Sequence, residues 1–588
     1  MPGPAARLLW AVLVLCLLLR VVAAFADSNW LWGLDAFGHW PPAWGTALAL
    51  FAAIGLLPPA ARTIAKWLER SGTAWERGGV AADLLVGTAL AIIMFSLRDP
   101  VRFTGDADLR LNSLSAAMPV RTLFPQASPL DVTFNFYLPR WLMSQGLPAQ
   151  TALQFVGAMV GGLFTFAGLG FLRAAGARGA ALVTGAAVIL SGGYLAHFAG
   201  YDKFGPLLLG LALAAWGAVS LARAGVGEWL LATGAIVCVL SHRSGLLVAP
   251  SALWTFAAAW RAAEPGRRAR VAVAGAAFST VTLALLPHLA RVFFSVDWAV
   301  HLPGGAVARS LQTSEAPAAL MRFSDALNAL FLLVPLWPAG IAAWWLNRSS
   351  AEWPPGRQGM RFSPAMTAIL ALGAHALVLF GIGTSRGSGR DWDASAAMGV
   401  VTALVSAYAL ASAGRFRLPP RVAALVVTLA LPIAVATWGM QADETVAMHR
   451  IHGLLRDHPA WSDAARAQAF DLLGWRALRA ERLADASREW GQAIAYAPNP
   501  RFFHQRGLAE LGMGRLDSAS TLFRRAARLS PHVADPWVGL ARTALAGRDT
   551  LSALAALDSA LSRNPAEPNG LALRSAIVQR RPGATPPP

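Results

Sequence analysis

Long apolar segments constrain this chain more than any other feature of its sequence. Most run for roughly 17 to 23 residues, the length that an α-helix needs to cross about 30 Å of hydrocarbon. Only 14% of the 588 residues are charged, whereas soluble proteins carry nearer a quarter. We therefore predict an all-α, polytopic membrane domain over 1–440 with about 13 spans, at 8–25, 44–61, 81–97, 149–172, 180–198, 205–222, 228–241, 245–260, 271–293, 326–346, 364–383, 395–413 and 421–440.

The loops between these segments alternate in character. One set is short and rich in Arg, which is typical of cytoplasmic loops and accounts for the net charge of +18 without nucleic acid binding. The other set is longer and holds most of the Asp residues. We predict that it faces outward, at 26–43, 98–148, 199–204, 242–244, 294–325, 384–394 and after 440. The Ala-, Arg- and Gly-rich composition favours a bacterial cytoplasmic (inner) membrane.

The N-terminus allows two interpretations. Residues 1–26 fit either a first membrane helix or a signal peptide that ends at Ala24-Phe25-Ala26. Asp27 lies outside in both cases. The two cysteines, Cys16 and Cys238, lie inside apolar runs, so the sequence offers no disulfide framework and no Cys-based zinc site.

A repeat of 33 to 34 residues follows the membrane part. Each unit has a small residue, an Ala, a large apolar residue, a second Ala and a closing Pro: Gly474, Gly507, Ala541; Ala486, Ala519, Ala553; Trp490, Phe523, Leu557; Ala493, Ala526, Ala560; Pro498, Pro531, Pro565. This pattern resembles the tetratricopeptide (TPR) repeat, whose arrays form α-solenoids that bind proteins. We predict a linker over 441–459, three units over 460–572 and a disordered Pro-rich tail over 573–588.

Two carboxylates stand close together in the first long outward loop, 98–148, as Asp106-Ala107-Asp108. A carboxylate there is suited to act as general base toward a hydroxyl acceptor. The pair is also suited to hold a divalent cation, because such ions prefer oxygen ligands. The simpler alternative is a turn in which an Asp caps the next helix.

Two shorter outward connections also carry charge. Tyr201-Asp202-Lys203 follows the fifth span, and His242-Arg243 lies between two closely spaced spans. Polar groups at membrane depth are costly to bury, so they are candidates for function. The alternatives are a solvated connection for the first segment and contact with phospholipid headgroups for the second.

The loop 384–394 holds four charges and two glycines between two strongly apolar helices. Arg386 and Arg390 are suited to bind a phosphate or pyrophosphate, since guanidinium groups pair with phosphate oxygens. Asp391 and Asp393 are placed to orient those arginines or to ligate a metal. The alternative is a plain polar turn.

The predicted topology puts all of these groups on one face of the membrane. Together with the loop architecture and the C-terminal repeats, this arrangement resembles the GT-C superfamily of integral-membrane glycosyltransferases, and in particular its TPR-bearing protein O-mannosyltransferases. Those enzymes take sugars from polyprenyl-phosphate donors and carry an acidic motif in a long extracytoplasmic loop. In that superfamily the acidic loop follows the first span, whereas here it follows the third.

The resemblance implies a role for each candidate residue. Asp106 or Asp108 would deprotonate the acceptor hydroxyl, and displacement would invert the anomeric centre. Five basic groups would bind the donor phosphate, namely Arg390, Arg386, Lys203, His242 and Arg243. Asp202, Asp391 and Asp393 would support them. The TPR array would dock an acceptor protein or an assembly partner outside the membrane.

Three other classes remain open on the sequence. An enzyme similar to O-antigen ligases would need more Arg and His in a late outward loop than 294–325 holds. A transporter would place its charges at mid-bilayer. A non-enzymatic scaffold that displays TPR repeats would not need the charged loops.

Overall fold

The computed structural model describes residues 3–26, 29–97, 99–103, 107–116, 118–199, 204–297, 318–348, 362–381, 392–411, 418–457 and 461–579. The chain divides into two compact units, Met1–Ala460 and Trp461–Pro588, and each is described by itself. All regular structure within the described ranges is helical.

The first unit is built of helices of very different length. They are α1 Pro4–Phe25, α2 Pro42–Ala53, α3 Pro58–Ser96, α4 Ala107–Ser113, α5 Val120–Leu123, α6 Pro129–Val132, α7 Leu138–Ser144, α8 Ala149–Ala174, α9 Ala180–Ile189, α10 Ala196–Ala199, α11 Gly205–Ala224, α12 Glu228–Ser241, α13 Ala249–Ala262, α14 Pro265–Val292, α15 Ala318–Leu333, α16 Trp337–Arg348, α17 Ala365–Gly381, α18 Ala396–Ala411, α19 Pro420–Ala442 and α20 Glu444–Asp457. Two 3₁₀ turns, Arg243–Val248 and Trp392–Ser395, precede α13 and α18.

Among the described residues, 6 helices are long and apolar enough to cross a membrane, and up to 8 spans result if each of two bent pairs is one span. The six are α1, α3, α8, α11, α14 and α19. Most spans predicted from the sequence overlap one helix or one bent pair, but the predicted span 44–61 covers α2 and the start of α3. Several of these helices are short, however. For example, α12 has 14 residues, fewer than the roughly 20 of a straight span, so the count of thirteen stays a prediction.

The two bent pairs have local causes. The segment Ala180–Ile189 meets Gly193–Ala199 at 67°, and Phe323–Leu333 meets Trp337–Asn347 at 88°. Pro335 stands in the second break, where its ring and missing N–H interrupt the helical hydrogen bonds. At the first break the Tyr194 hydroxyl donates to the Ile189 carbonyl, which satisfies a group that the helix no longer bonds.

Helix α3 consists of two helical parts joined at Gly79, whose φ is +58°. Arg173 of α8 bonds to residues of α3 at this kink. Its guanidinium donates to the Gly79 carbonyl at 3.0 Å and pairs with the Asp83 carboxylate at 2.6 Å. The first part of α3 carries the basic residues that were expected in a cytoplasmic loop, so that loop is helical.

Small residues allow the closest helix contacts in this unit. A Cβ added at Gly234 of α12 would lie 2.3 Å from the Ala214 nitrogen of α11. One added at Gly217 would lie 2.3 Å from the Leu231 nitrogen. Helices in membranes commonly associate through such small residues, because they let the backbones approach.

The second unit repeats a helical hairpin. Its helices are α21 Asp463–Arg479, α22 Leu483–Tyr496, α23 Pro500–Gly512, α24 Leu516–Leu529, α25 Asp535–Ala546, α26 Thr550–Arg563 and α27 Pro568–Gln579. The repeat positions meet as the pattern requires. A Cβ at Gly474 would lie 2.7 Å from the Trp490 ring, and one at Gly507 would lie 2.8 Å from the Phe523 ring.

Two predicted boundaries differ from the structure. The segment 441–459, predicted as a linker, contains α20, whose Leu454 and Leu455 are buried. The tail predicted over 573–588 begins inside α27. This helix continues to Gln579 because Ile577 packs with residues of α25 and α26 in a common apolar cluster. Residues 580–588 lie outside the described residues.

Candidate active site

The predicted site residues are only partly described. Asp108, His242 and Arg243 lie within the described ranges. Only the backbone of Asp393 is described, in the turn Trp392–Ser395. The others lie outside the described residues: Asp106, Asp202, Lys203, Arg386, Arg390 and Asp391.

Asp108 stands in the first turn of α4. Its Oδ1 lies 3.4 Å from the Arg102 guanidinium, and its Oδ2 accepts a hydrogen bond from the Asn112 amide at 3.0 Å. The side chain remains 21% exposed. The carboxylate is thus held from two sides and still reaches solvent.

An ion pair that the sequence did not reveal organises the loop around Asp108. Arg110 pairs with Asp131 at 2.8 Å, and the two side chains are only 2% and 3% exposed. The Asn135 amide donates to the same carboxylate at 3.0 Å, and the Arg110 guanidinium lies 4.1 Å from the centre of the Phe124 ring. No motif links residues 21 positions apart, so only the fold could identify this pair.

Apolar residues surround this pair and give the loop a core of its own. Val120, Phe124 and Phe136 are buried in a cluster with Leu153 of α8. Arg140 stacks on the Phe136 ring and donates to the Leu114 carbonyl at 2.9 Å. The described parts of the segment 98–148 therefore form a folded element that docks on α8 through α4 and α7.

His242 follows the last residue of α12 and faces an aromatic neighbour. Its Nδ1 lies 2.7 Å from the Ser244 hydroxyl and accepts from the Ser244 backbone nitrogen at 3.2 Å. The Phe204 ring lies 4.8 Å from the imidazole, and His197 contacts Phe204 in turn at 5.7 Å. Phe204, the first described residue after 200–203, thus contacts His242.

Helix contacts connect three of the predicted loops. Helix α6 of the loop 98–148 packs against α12, which ends next to His242. The turns Arg243–Val248 and Trp392–Ser395 both contact α17. Within the described residues, the acidic loop therefore borders the helix that presents His242 and Arg243.

A second polar cluster was not predicted. Asp35 pairs with His39 at 3.0 Å, and the His39 ring lies 5.8 Å from that of His449. Arg450 of α20 donates to the Trp32 carbonyl at 3.4 Å. Burial lowers the pKa of Arg450, and Asp35 counters that effect. Burial and the nearby His39, Arg456 and His452 lower the pKa of His449.

The segment after α1 contacts α15 as well as α20. The Trp32 indole donates to the Asp325 carboxylate at 3.0 Å, and the Asn328 amide donates to the Trp30 carbonyl at 2.7 Å. Asp35 and His39 lie in the loop that was expected to face outward. The partners of the neighbouring Trp32 are 290 or more positions away in the sequence, so no local signal could reveal these long-range contacts.

Within the described residues, no group of three His, Cys, Asp or Glu side chains could hold a metal ion. Asp108 has Arg102 and Asn112 as its neighbours, and Asp106 lies outside the described residues. A divalent cation on Asp106 and Asp108 therefore stays a prediction.

The second unit presents charged and aromatic side chains on the first helix of each hairpin. Arg501 pairs with Asp471 at 2.6 Å, and Trp475 is 38% exposed. Burial raises the pKa of Asp471, while the Trp490 indole and Arg501 act to lower it. His504 lies beside Asp535 and Arg542 of the next hairpin. Helices α21, α23 and α25 thus supply a mixed polar and aromatic surface.

Comparison with known proteins identifies the repeats. Residues 510–577 match the tetratricopeptide repeat family, which confirms the prediction of such repeats near the C-terminus. Solved structures also match, among them the Arabidopsis OM64 TPR domain. It covers 20% of this chain and 100% of its own chain, at 13% identity and a TM-score of 0.20. A comparison with curated proteins gave no match. TPR repeats generally mediate contacts between proteins.

Proposed function

We propose that this chain is a membrane glycosyltransferase of the GT-C type. It moves a sugar from a polyprenyl-phosphate donor to a hydroxyl group of a protein or glycan. The observation that carries the proposal is the folded loop between α3 and α8. This loop holds the Asp108 carboxylate, partly exposed, between Arg102 and Asn112.

The reaction is a direct displacement at the anomeric carbon. The acceptor oxygen attacks that carbon and loses its proton to Asp108 or Asp106, while the bond to the phosphate oxygen breaks. The configuration at the carbon is inverted. General base catalysis of this kind contributes about 10²- to 10⁴-fold to a rate.

The leaving group is a lipid phosphate, so negative charge develops on it during transfer. Basic groups that face this phosphate stabilise the transition state. We assign this role to Arg386, Arg390, Lys203, His242 and Arg243, with Asp202, Asp391 and Asp393 as orienting groups. The packing of α6 on α12 supports a shared site, because it sets the acidic loop beside the helix that ends at His242.

The location follows from the same assignment. Apolar helices long enough to span a membrane fit a multi-pass protein of a bacterial cytoplasmic membrane. Lipid-linked donors act on the outer face, where nucleotide sugars are absent. The TPR unit would lie on that side and bind the acceptor protein or an assembly partner.

The test is a transfer assay with the full-length chain in liposomes that contain polyprenyl-phosphate sugars, together with acceptor proteins and glycans that offer hydroxyl groups. Release of polyprenyl phosphate is measured against the protein that carries Asp108→Asn. We expect the variant to lose about 100-fold in rate, as for loss of a general base. Asp463→Asn, at a carboxylate with a 68% exposed side chain in the second unit, should keep the wild-type rate.

Two results would contradict the proposal. One is wild-type protein that releases no polyprenyl phosphate from any of these donors although it is folded. The other is transfer by Asp108→Asn at the wild-type rate, which would remove the role of this carboxylate. Arg243→Gln tests the phosphate side separately and should slow release without changing the acceptor that is used.

The TPR match favours a second candidate, a membrane scaffold without enzymatic activity. A scaffold would bind its protein partner through the second unit and would not need Asp108. Affinity purification with wild-type and Asp108→Asn chains separates the two candidates. If the protein is a scaffold, the Asp108→Asn chain should bind the partner and function fully in cells. If it is a glycosyltransferase, the Asp108→Asn chain should bind the partner but leave it without sugar.

A further inference from the structure

An apolar cavity of about 90 Å³ lies inside the first unit. Helices α11, α12, α13, α17 and α18 supply most of its wall. Leu211, Ala218, Leu231, Ala252 and Leu404 are among the lining residues. The cavity is separate from the candidate active site, since neither Asp108 nor His242 belongs to its wall.

His375 of α17 is the unusual member of this wall. It is 1% exposed, and its Nδ1 lies 2.9 Å from the Ala371 carbonyl oxygen one turn earlier. A carbonyl only accepts hydrogen bonds, so Nδ1 carries the proton of the ring. Apolar surroundings favour the uncharged imidazole, which leaves a lone pair on Nε2.

That lone pair is unused within the part of the chain that the structure describes. The Nε2 atom of His375 is buried and has no hydrogen-bond partner there. Two other polar groups of the wall are already bonded. The Thr367 hydroxyl pairs with that of Thr255 at 2.8 Å, and the Ser251 hydroxyl donates to the Val248 carbonyl at 2.9 Å. A buried acceptor without a donor is unfavourable, so a ligand that supplies one would be stabilised.

We infer that this cavity binds the hydroxyl end of an aliphatic lipid alcohol, whose O–H donates to His375 Nε2. The cavity is smaller than the dry cavity of about 150 Å³ that accepts benzene, so it admits only the hydroxyl end and the first few carbons of the chain. The bilayer is the source of the ligand. Helices α13 and α17 expose large apolar side chains on their other faces, such as Leu253 and Ile369.

Water is a weaker occupant of this space. A buried water is held by two to four polar partners, and the wall is apolar around His375. An alcohol needs one polar partner and fills the remaining volume with its alkyl chain. The inference requires that these helices lie in a membrane, but it does not depend on glycosyl transfer.

The test uses the full-length chain in nanodiscs and two photoreactive probes. One is a twelve-carbon alcohol with a diazirine in its chain, and the other is its methyl ether. Both bury the same hydrocarbon, but the ether cannot donate a hydrogen bond. We expect the alcohol to label α13 and α17 and to bind about fivefold more tightly than the ether, as for one neutral hydrogen bond.

Three variants locate the effect. His375→Phe keeps a ring of similar size and should lower alcohol binding to that of the ether. Ala368→Leu, on the cavity wall, should reduce labelling by both probes. Leu377→Ala is the control, since this side chain lies two residues from His375 and is 68% exposed, and it should change neither.

Equal labelling by alcohol and ether in the wild-type chain would overturn the hydrogen bond to His375. Labelling confined to helices outside the cavity wall would overturn the site itself. The comparison of the two probes on wild-type protein needs no variant, so it decides the matter even if His375→Phe does not fold.

Discussion

The ion pair between Arg110 and Asp131 decides the conformation of the acidic loop. Both side chains are almost fully buried, and the Asn135 amide shares the Asp131 carboxylate. A buried pair contributes little net stability compared with apolar residues, but removal of one partner leaves a buried charge uncompensated. We therefore expect the folded loop that presents Asp108 to require both partners of the pair.

We predict that Asp131→Asn destabilises the loop by about 3–5 kcal/mol, the usual cost of breaking a buried pair. Hydrogen exchange of amides in α4, α6 and α7 should become faster in the variant. The double variant Arg110→Met with Asp131→Leu should recover part of the protection, because no charge is then left buried. Unchanged exchange in Asp131→Asn would show that the loop does not depend on this pair.

His504 gives the second unit a defined response to pH. Burial lowers its pKa, the neighbouring Asp535 acts to raise it and Arg542 acts to lower it. The ordinary value is about 6.5, so below that pH the unfolded chain binds a proton more readily than the folded one. The free energy of unfolding therefore falls as the pH drops below about 6.5, until the lower pKa of the folded state is passed.

We predict that the second unit loses protection from hydrogen exchange between pH 7.5 and pH 5.5 in the wild-type chain. His504→Gln should reduce that loss, since it removes the group that gains a proton on unfolding. His532→Gln, at an exposed position, should leave the loss unchanged. Equal pH dependence in His504→Gln and the wild type would contradict the assignment.

At the scale of elements, the repeat hairpins depend on a small residue facing a large one. The Phe523 ring is fully buried. Added Cβ atoms at Gly507 and Gly539 would lie 2.8 Å and 2.5 Å from it. The ring of α24 therefore fills the space between α23 and α25, and the two glycines make that space available.

We predict that Phe523→Ala destabilises the second unit by about 3–5 kcal/mol, as for other buried aromatic residues replaced by Ala. Leu529→Ala is the matched control on the same helix, because Leu529 is 43% exposed. It should change stability by no more than about 0.5 kcal/mol. Hydrogen exchange of α23 to α25 in the full-length chain measures both effects. Equal exchange in the two variants would contradict the packing argument.

The elements differ in how far the sequence could predict them. The TPR hairpins were predictable because each one is local, and its period places Gly507 opposite Phe523 within one unit. The helical positions of the apolar segments were predictable for the same reason. The break after Ile189 and the bend at Pro335 were not, because an apolar run has the same composition whether it continues straight or breaks.

The candidate site was predictable only in part. Asp108 stood out because a carboxylate pair in a long loop after an apolar run is unusual. Its partner Arg102 and the pair of Arg110 with Asp131 depend on the folded loop. The cluster of Asp35, His39 and Arg450 joins segments more than 400 positions apart, and a single sequence holds no record of such proximity.

At the scale of the whole chain, the two units differ in character. The first unit combines apolar helices with folded polar loops, and the second unit repeats a TPR hairpin, a motif that generally mediates contacts between proteins. We propose that the first unit transfers the sugar and that the second recognises the acceptor or an assembly partner. In this proposal the acidic loop and the basic loops of the first unit form one site for a lipid-linked sugar.

The most direct test is an experimental structure of the full-length chain in nanodiscs with a polyprenyl-phosphate sugar bound. We expect Arg386 or Arg390 to contact the phosphate. We also expect the Asp106 or Asp108 carboxylate to face the anomeric carbon from the opposite side, within the span of one sugar phosphate. A lipid phosphate bound elsewhere, or Asp108 and Arg390 on opposite sides of the helical bundle, would contradict the proposal.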